Sequence, residues 1–271
     1  MESFLFDLVR TSQDIAHAGW AEANAGNISV RLGPTELKDR ALFSQDGPWV
    51  PMDIPTPSLG GEFFLVTAKG SQIRNIAAFP RRDCGVLELN PAGDSYRVVW
   101  GLEGTVPTSE FFAHLLSHAV RKERSGGAER AILHTHPVTL VALCHAMELD
   151  TVSLTRLLWS MHTEGVCLFP GGVAYLTLAM PGSQEISRMT CKAFETHSMV
   201  LWEYHGIFAS GTDLDHAFGM VQAAEKAAQI YQSACIMGGV RRALTDREIQ
   251  AIADNFGFAV APGILNLPDK A

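Results

Sequence analysis

Apolar residues in the first twenty positions recur at helical spacing. Phe4, Leu5, Leu8, Val9, Ile15 and Ala16 fall on one stripe, which predicts an amphipathic helix ending near Gly19. The pattern then changes to period two: Ile28-Ser29-Val30-Arg31-Leu32 alternates as a half-buried strand does. Residues 33–61 carry Pro34, Pro48, Pro51, Pro55 and Pro57 and read as a long irregular loop. Further strands are predicted at 62–67, 96–100, 166–169, 173–178, 199–202 and 207–210, with another where Ala131-Ile132-Leu133 runs into His134. Helices are predicted at 107–124, 139–147, 184–197 and 213–237. A last helix opens on the capping box Thr245-x-x-Glu248 and stops near Gly257. Several neighbouring strands are too close in sequence for helical crossovers. The expected class is therefore α/β with an α+β character: a central mixed or mainly antiparallel sheet flanked by helices. No composition break or repeat divides residues 1–271, so a single domain is expected.

Composition narrows the function. The 271 residues are 47% hydrophobic and 18% charged, the profile of a folded globular chain. A net charge of −8 with no basic stripe argues against nucleic acid as a partner. The five cysteines are scattered and form no Cys-x-x-Cys, which favours buried thiols in a reducing compartment. Glu2, Asp7 and Asp14 interrupt the opening stretch, so it does not resemble a signal peptide, and no apolar run reaches membrane-spanning length. The expectation is a cytoplasmic protein without a membrane partner.

The chemistry concentrates in His134-Thr135-His136. Two imidazoles at i and i+2 of a strand project from one face, which supplies two nitrogen ligands from a rigid support. His205 ends a second apolar run, before Gly206. Any one of these histidines alone is more often an ordinary core or strand-end residue. Three together, with one coordination position left open, form the pattern of a catalytic zinc. Three loops offer further groups. Asn24-Ala25-Gly26-Asn27 has two amides around a glycine. Ala68-Lys69-Gly70-Ser71 combines backbone N–H groups, an ammonium and a hydroxyl, which suits an anion. Thr108-Ser109-Glu110 opens a helix, where hydroxyls and free N–H groups also favour an anion. Each loop alone would pass as a turn or a cap.

In their order and spacing these segments resemble the class II, zinc-dependent sugar-phosphate aldolases of the class II aldolase and adducin superfamily. Gly19-Trp20, Val99-Trp100-Gly101-Leu102, Leu168-Phe169-Pro170 and Ala224-Glu225-Lys226 agree, and the likeness runs from about Ile15 to the C-terminal helix. The resemblance implies the class II aldolase fold, one Zn²⁺ per subunit on His134, His136 and His205, and a homotetramer. It implies Glu110 as the catalytic carboxylate, Asn24 as a second catalytic group, and Glu164 acting from a neighbouring subunit. Asn24, Asn27, Lys69, Gly70, Thr108 and Ser109 then fall at phosphate-binding positions. The implied reaction is reversible retro-aldol cleavage of L-rhamnulose 1-phosphate to dihydroxyacetone phosphate and L-lactaldehyde. One departure stands out: relatives carry Gly-Ser-Gly where this chain has Ala68-Lys69-Gly70, so Lys69 or Ser71 takes over the serine's contact. Other readings are a relative acting on another sugar phosphate (a fuculose-phosphate aldolase, an epimerase or a dehydratase), a metal-dependent hydrolase, and a non-catalytic adducin-like module. The hydrolase reading lacks the repeated strand–helix rhythm of a barrel. The adducin-like reading conflicts with the retention of all three histidines.

Overall fold

A computed structural model describes residues 2–267. In chain order the elements are α1 (Phe6–Ala18), β1 (Asn27–Arg31), β2 (Val50–Pro51), β3 (Phe63–Thr67), α2 (Pro80–Asp83), β4 (Cys84–Leu89), β5 (Ser95–Gly101), α3 (Phe111–Arg124) and β6 (Ala131–Thr135). There follow α4 (Val138–Ala146), α5 (Thr151–Met161), α6 (Thr163–Leu168), β7 (Ala174–Leu176), α7 (Gln184–Ala193), β8 (Met199–Trp202), β9 (Gly206–Gly211), α8 (Leu214–Ile236) and α9 (Asp246–Phe256). The strands line up as β2-β5-β4-β3-β1-β6-β9-β8-β7. Pairings β1–β3, β1–β6, β2–β5, β3–β4, β4–β5 and β8–β9 are antiparallel, while β7–β8 is parallel. The expected mixed, mainly antiparallel sheet is present. The chain clusters into two compact units, one made of Met1–His136, Ala179–Glu195 and Ser210–Ala217, the other of Pro137–Leu178, Thr196–Ala209 and Phe218–Ala271.

In the first unit, alternation along β3 sends Phe64 and Val66 to one face and Phe63 to the other. Phe64 and Val66 join Leu87, Leu89, Leu102, Phe111 and Leu115 in a core beneath α3. Phe63 meets Phe43, which stacks edge-on with Phe4, and Phe4 in turn meets Trp100. A register shift between Val86 and Leu87 places an extra residue of β5 opposite them. Val98 therefore faces the α3 core while Trp100 serves the opposite layer, the change of face that a bulge produces. Helix α1 ends where expected, with Gly19 in the left-handed region at φ 73°.

The second unit is built around α5, whose Leu154, Leu158 and Trp159 are fully buried. Asp150 and Ser153 cap its start reciprocally, and the Trp159 indole donates to the Phe169 carbonyl at 3.3 Å. Glu225 of α8 is buried and accepts the first N–H groups of α4, from Thr139 at 3.0 Å and Leu140 at 2.9 Å. A carboxylate there satisfies orphan donors and complements the helix dipole. The Thr245–Glu248 capping box and left-handed Gly257 bound α9 as expected.

Three local expectations are corrected. Residues 166–169 were expected as a strand and lie in and just beyond α6. Four apolar residues do not distinguish helix from strand, and packing decides here: a Cβ on Gly165 would come within 2.9 Å of the Phe169 ring. The helix expected from residue 107 begins at Phe111. Residues 107–108 are instead tied to the end of β3, by the Ala68–Pro107 bridge and a bond from Thr108 N–H to the Thr67 carbonyl at 3.0 Å. The 33–61 loop contains short 3-10 turns and strand β2. Strand β4 and helix α5 are additional elements that the hydrophobic pattern did not single out.

Two experiments follow from this packing. His114 and His118 of α3 are completely enclosed, and burial lowers the His114 imidazole from 6.5 to about 3 and His118 well below its ordinary value. A depressed histidine is neutral in the fold yet protonates when unfolded. Its contribution is thus intact above pH 6.5 and lost as pH falls toward the folded value, at up to about 1.4 kcal/mol per pH unit per group. Urea unfolding should show stability falling steadily from pH 6.5 to 4.5; a flat profile contradicts the burial. Gly26 lies at φ 77°, and a Cβ there would stand 3.2 Å from the His134 carbonyl and 3.1 Å from Ile73 Cδ1. Gly26→Ala should cost about 1–3 kcal/mol in the same assay; an unchanged midpoint contradicts the close approach.

Candidate active site

Antiparallel pairing gathers the candidate loops at one end of the first unit. Strand β1 begins where its neighbours β3 and β6 finish, with Asn27 opposite His134 in the register. The Ile28 N–H donates to Thr67 Oγ1 at 3.1 Å, tying the start of β1 to the end of β3. Lys69 N–H donates to the Val106 carbonyl at 2.9 Å, which sets the Lys69-Gly70 turn beside the segment leading to Thr108 and Ser109. Asn24, Lys69, Gly70 and Ser109 are exposed, whereas Asn27, Ser71, Thr108 and Glu110 are buried. The loop groups and the acid are thus brought to one end of the sheet. Glu164 lies exposed on α6 in the second unit.

The end of β6 is pinned through Trp20, whose carbonyl accepts from Thr135 Oγ1 at 2.7 Å and from the His136 N–H at 2.9 Å. His134 and His136 leave the strand on the same face, with Nε2 atoms 3.3 Å apart. Glu22 Oε1 lies 2.8 Å from His136 Nδ1. A carboxylate can only accept there, so Nδ1 carries the proton and Nε2 presents its lone pair. Sequence reasoning missed Glu22; its position two residues after Trp20, in the loop facing the His-x-His strand, was the available signal. In the second unit, His205 sits in the three-residue connection between β8 and β9. Its N–H donates to the Trp202 carbonyl at 3.1 Å, and the preceding Tyr204 takes the left-handed conformation at φ 58°. That conformation is uncommon for a bulky residue and turns the chain sharply. His134, His136 and His205 are the candidate metal ligands.

The donor set fits a divalent metal. Nitrogen ligands at ~2.0–2.1 Å around a tetrahedral ion stand about 3.3–3.4 Å apart, the separation seen between His134 and His136. A carboxylate partner on the far nitrogen, as Glu22 provides, is the usual way a ligating imidazole is oriented.

Glu110 is the acid–base candidate. Its Oε2 lies 3.7 Å from His134 Nε2 and accepts from Asn27 Nδ2 at 2.7 Å. Burial raises the Glu110 carboxyl above its ordinary value, opposed by the Asn27 hydrogen bond and, when its ring is protonated, by His136. Thr108 Oγ1 accepts from the Glu110 N–H at 3.4 Å, and the Glu110 carbonyl receives the first helical bond of α3. Asn27, expected at the phosphate, has its amide engaged by Glu110 and His114. His114, Ser29 and His118 join this group and were not singled out from the sequence. Two histidines four residues apart within the apolar stripe of α3 were the available clue. The cysteines take no part: all five are free, and burial pushes the Cys84 thiol up to about 12.

Residues 6–232 match the family model for the class II aldolase and adducin N-terminal domain. A rhamnulose-1-phosphate aldolase of Yersinia pestis (strain Pestoides F) is 39% identical over 255 residues, covering 93% of both chains. The crystal structure of a sugar-phosphate aldolase from Thermotoga maritima superposes with a TM-score of 0.76 at 30% identity, over 88% of this chain and 97% of that one. An L-fuculose-1-phosphate aldolase from Thermus thermophilus shares the fold at a TM-score of 0.55 and 23% identity, over 89% of this chain and 98% of that one. A histidine cluster suited to a divalent cation, a buried acid at its side and a match through segments of both units agree: the chain belongs to the class II aldolase and adducin family.

Proposed function

We propose that this chain, acting as one domain over residues 1–271, catalyses the reversible retro-aldol cleavage of L-rhamnulose 1-phosphate to dihydroxyacetone phosphate and L-lactaldehyde, with one zinc per subunit on His134, His136 and His205. The observation that carries the reading is Glu110, a buried carboxylate 3.7 Å from a member of the imidazole cluster. Sequence identity to rhamnulose-1-phosphate aldolases supports the choice of sugar.

Cleavage of the C3–C4 bond requires a proton to leave the C4 hydroxyl and negative charge to be held on the three-carbon half. A bound divalent cation supplies a Lewis acid for that charge. Glu110 gives a proton to C3 of the three-carbon half in cleavage and removes it in condensation. Its burial moves the carboxyl toward the working pH, where a general acid–base is most effective. Asn27 holds Oε2 of Glu110 in place, and Asn24 offers an amide to a substrate oxygen. Lys69, Gly70, Thr108 and Ser109 hold the phosphate; the ammonium of Lys69 takes the place of a serine hydroxyl with a direct charge. Fixing the phosphate at a distance converts binding energy into orientation at the reacting carbons.

Glu164, exposed on α6, is assigned to the aldehyde half from a neighbouring copy in a homotetramer, where its carboxylate takes the proton that leaves the C4 hydroxyl. Free thiols suit a cytoplasmic location, and among the described residues no helix is long and apolar enough to cross a membrane.

The purified protein should cleave L-rhamnulose 1-phosphate faster than L-fuculose 1-phosphate in an assay for released dihydroxyacetone phosphate. Activity should vanish on chelation and return with Zn²⁺. Glu110→Gln should lose about 10²–10⁴-fold in turnover while binding the same amount of metal. Full activity after metal removal, or wild-type turnover in the Gln variant, contradicts the assignment.

A further inference from the structure

Behind Glu110 a line of buried polar groups runs into the core of the first unit. Asn27 Nδ2 reaches Glu110 Oε2, Asn27 Oδ1 meets His114 Nε2, Ser29 Oγ lies 2.6 Å from His114 Nδ1, and His118 Nε2 lies 2.8 Å from the same Ser29 Oγ. Ser29, His114 and His118 are at most 1% exposed. Strand β1 and helix α3 supply all of them: Asn27 and Ser29 share a strand face, and His114 and His118 are one helical turn apart. Phe64 packs against the His118 ring at 5.2 Å and closes the far end.

We propose that His118, Ser29 and His114 form a one-way hydrogen-bond chain that fixes the Asn27 amide against Glu110, making them positioning residues for the reaction proposed above, on which this inference rests.

The direction follows from counting protons. Asn27 Nδ2 donates to Glu110 Oε2 at 2.7 Å, which turns the Asn27 carbonyl toward His114. That carbonyl needs a donor, which makes His114 the Nε2–H tautomer. A neutral imidazole has one N–H, so His114 Nδ1 is bare and accepts the hydroxyl proton of Ser29. Ser29 has then given its only proton, and its oxygen accepts from His118, also an Nε2–H tautomer. Full burial keeps both rings neutral, as the chain requires. Turning the Asn27 amide over would set N–H against N–H at His114 and oxygen against oxygen at Glu110. Ser29 therefore determines the orientation of Glu110 through two intermediate residues without approaching the substrate. Asn27 carries no transferable proton in this chain, so the line orients Glu110 and does not conduct protons to it.

Ser29→Ala removes the group that selects the His114 tautomer. In the metal-loaded enzyme it should lower kcat about tenfold, leave KM for L-rhamnulose 1-phosphate within twofold and leave metal content unchanged. Ser29→Thr, which restores the hydroxyl, should recover most of the turnover. Neutron diffraction from crystals of the wild-type protein exchanged into D₂O should place deuterium on Nε2, and not Nδ1, of both His114 and His118. Deuterium on His114 Nδ1, a Ser29→Ala enzyme with wild-type kcat, or an equal loss in the Thr and Ala variants would overturn the proposal. The neutron result needs no substrate and no variant that must fold. Failure of the wild-type enzyme to cleave the sugar phosphate would instead defeat the functional reading and leave the tautomer test standing.

Discussion

Strand β1 lies between β3 and β6, antiparallel to both, with Asn27 opposite His134, and the chemistry depends on that register. Because it runs against both neighbours, its start lies beside their ends. The Asn24–Asn27 loop, the Lys69-Gly70 turn and the His-x-His pair are thereby collected although they are separated by forty to more than one hundred residues in the sequence. A slip of one residue would turn every side chain of β1 to the opposite face. Asn27 would then leave Glu110, and Ser29 would leave the two histidines of α3. Gly26 at φ 77° allows the loop to enter the strand against the His134 carbonyl.

Much of the polar content of this region is buried, and each group is held by a specific partner. Glu22 orients His136, Trp20 anchors the end of β6, and Asn27 braces Glu110. An unsatisfied buried polar atom costs about 1–3 kcal/mol, so such networks persist only when every member is matched. The same burial sets the chemistry. It raises the Glu110 carboxyl and keeps His114 and His118 neutral, so acid–base capacity rests at one carboxylate while the groups behind it only orient.

Much of this was legible in the sequence for reasons that can be stated. Period-two alternation marked β1, helical stripes marked α1 and α3, and the Thr245–Glu248 capping box marked α9. The metal candidates were legible because His134 and His136 stand at strand spacing. What was missed depended on tertiary context. Strand β4, Cys-Gly-Val-Leu-Glu-Leu, carries a glycine whose place is set by the Trp100 carbonyl, 2.6 Å from where a Cβ would stand. Helix α6 reads as a strand until Phe169 packs over Gly165. Helix α3 starts at Phe111 because pairing with the end of β3 holds residues 107–108 extended. Glu22, Ser29 and His118 each look ordinary in one dimension and acquire their roles through contacts made across dozens of residues.

The central claim is that three imidazoles share one divalent cation. X-ray absorption at the zinc edge, on protein purified without chelators, tests it directly. The account predicts about one equivalent of metal per chain, with light-atom ligands at ~2.0–2.1 Å and the outer-shell scattering of three imidazole rings. A metal-free protein that takes up no zinc on addition, or a spectrum dominated by sulfur at ~2.3 Å, would contradict it.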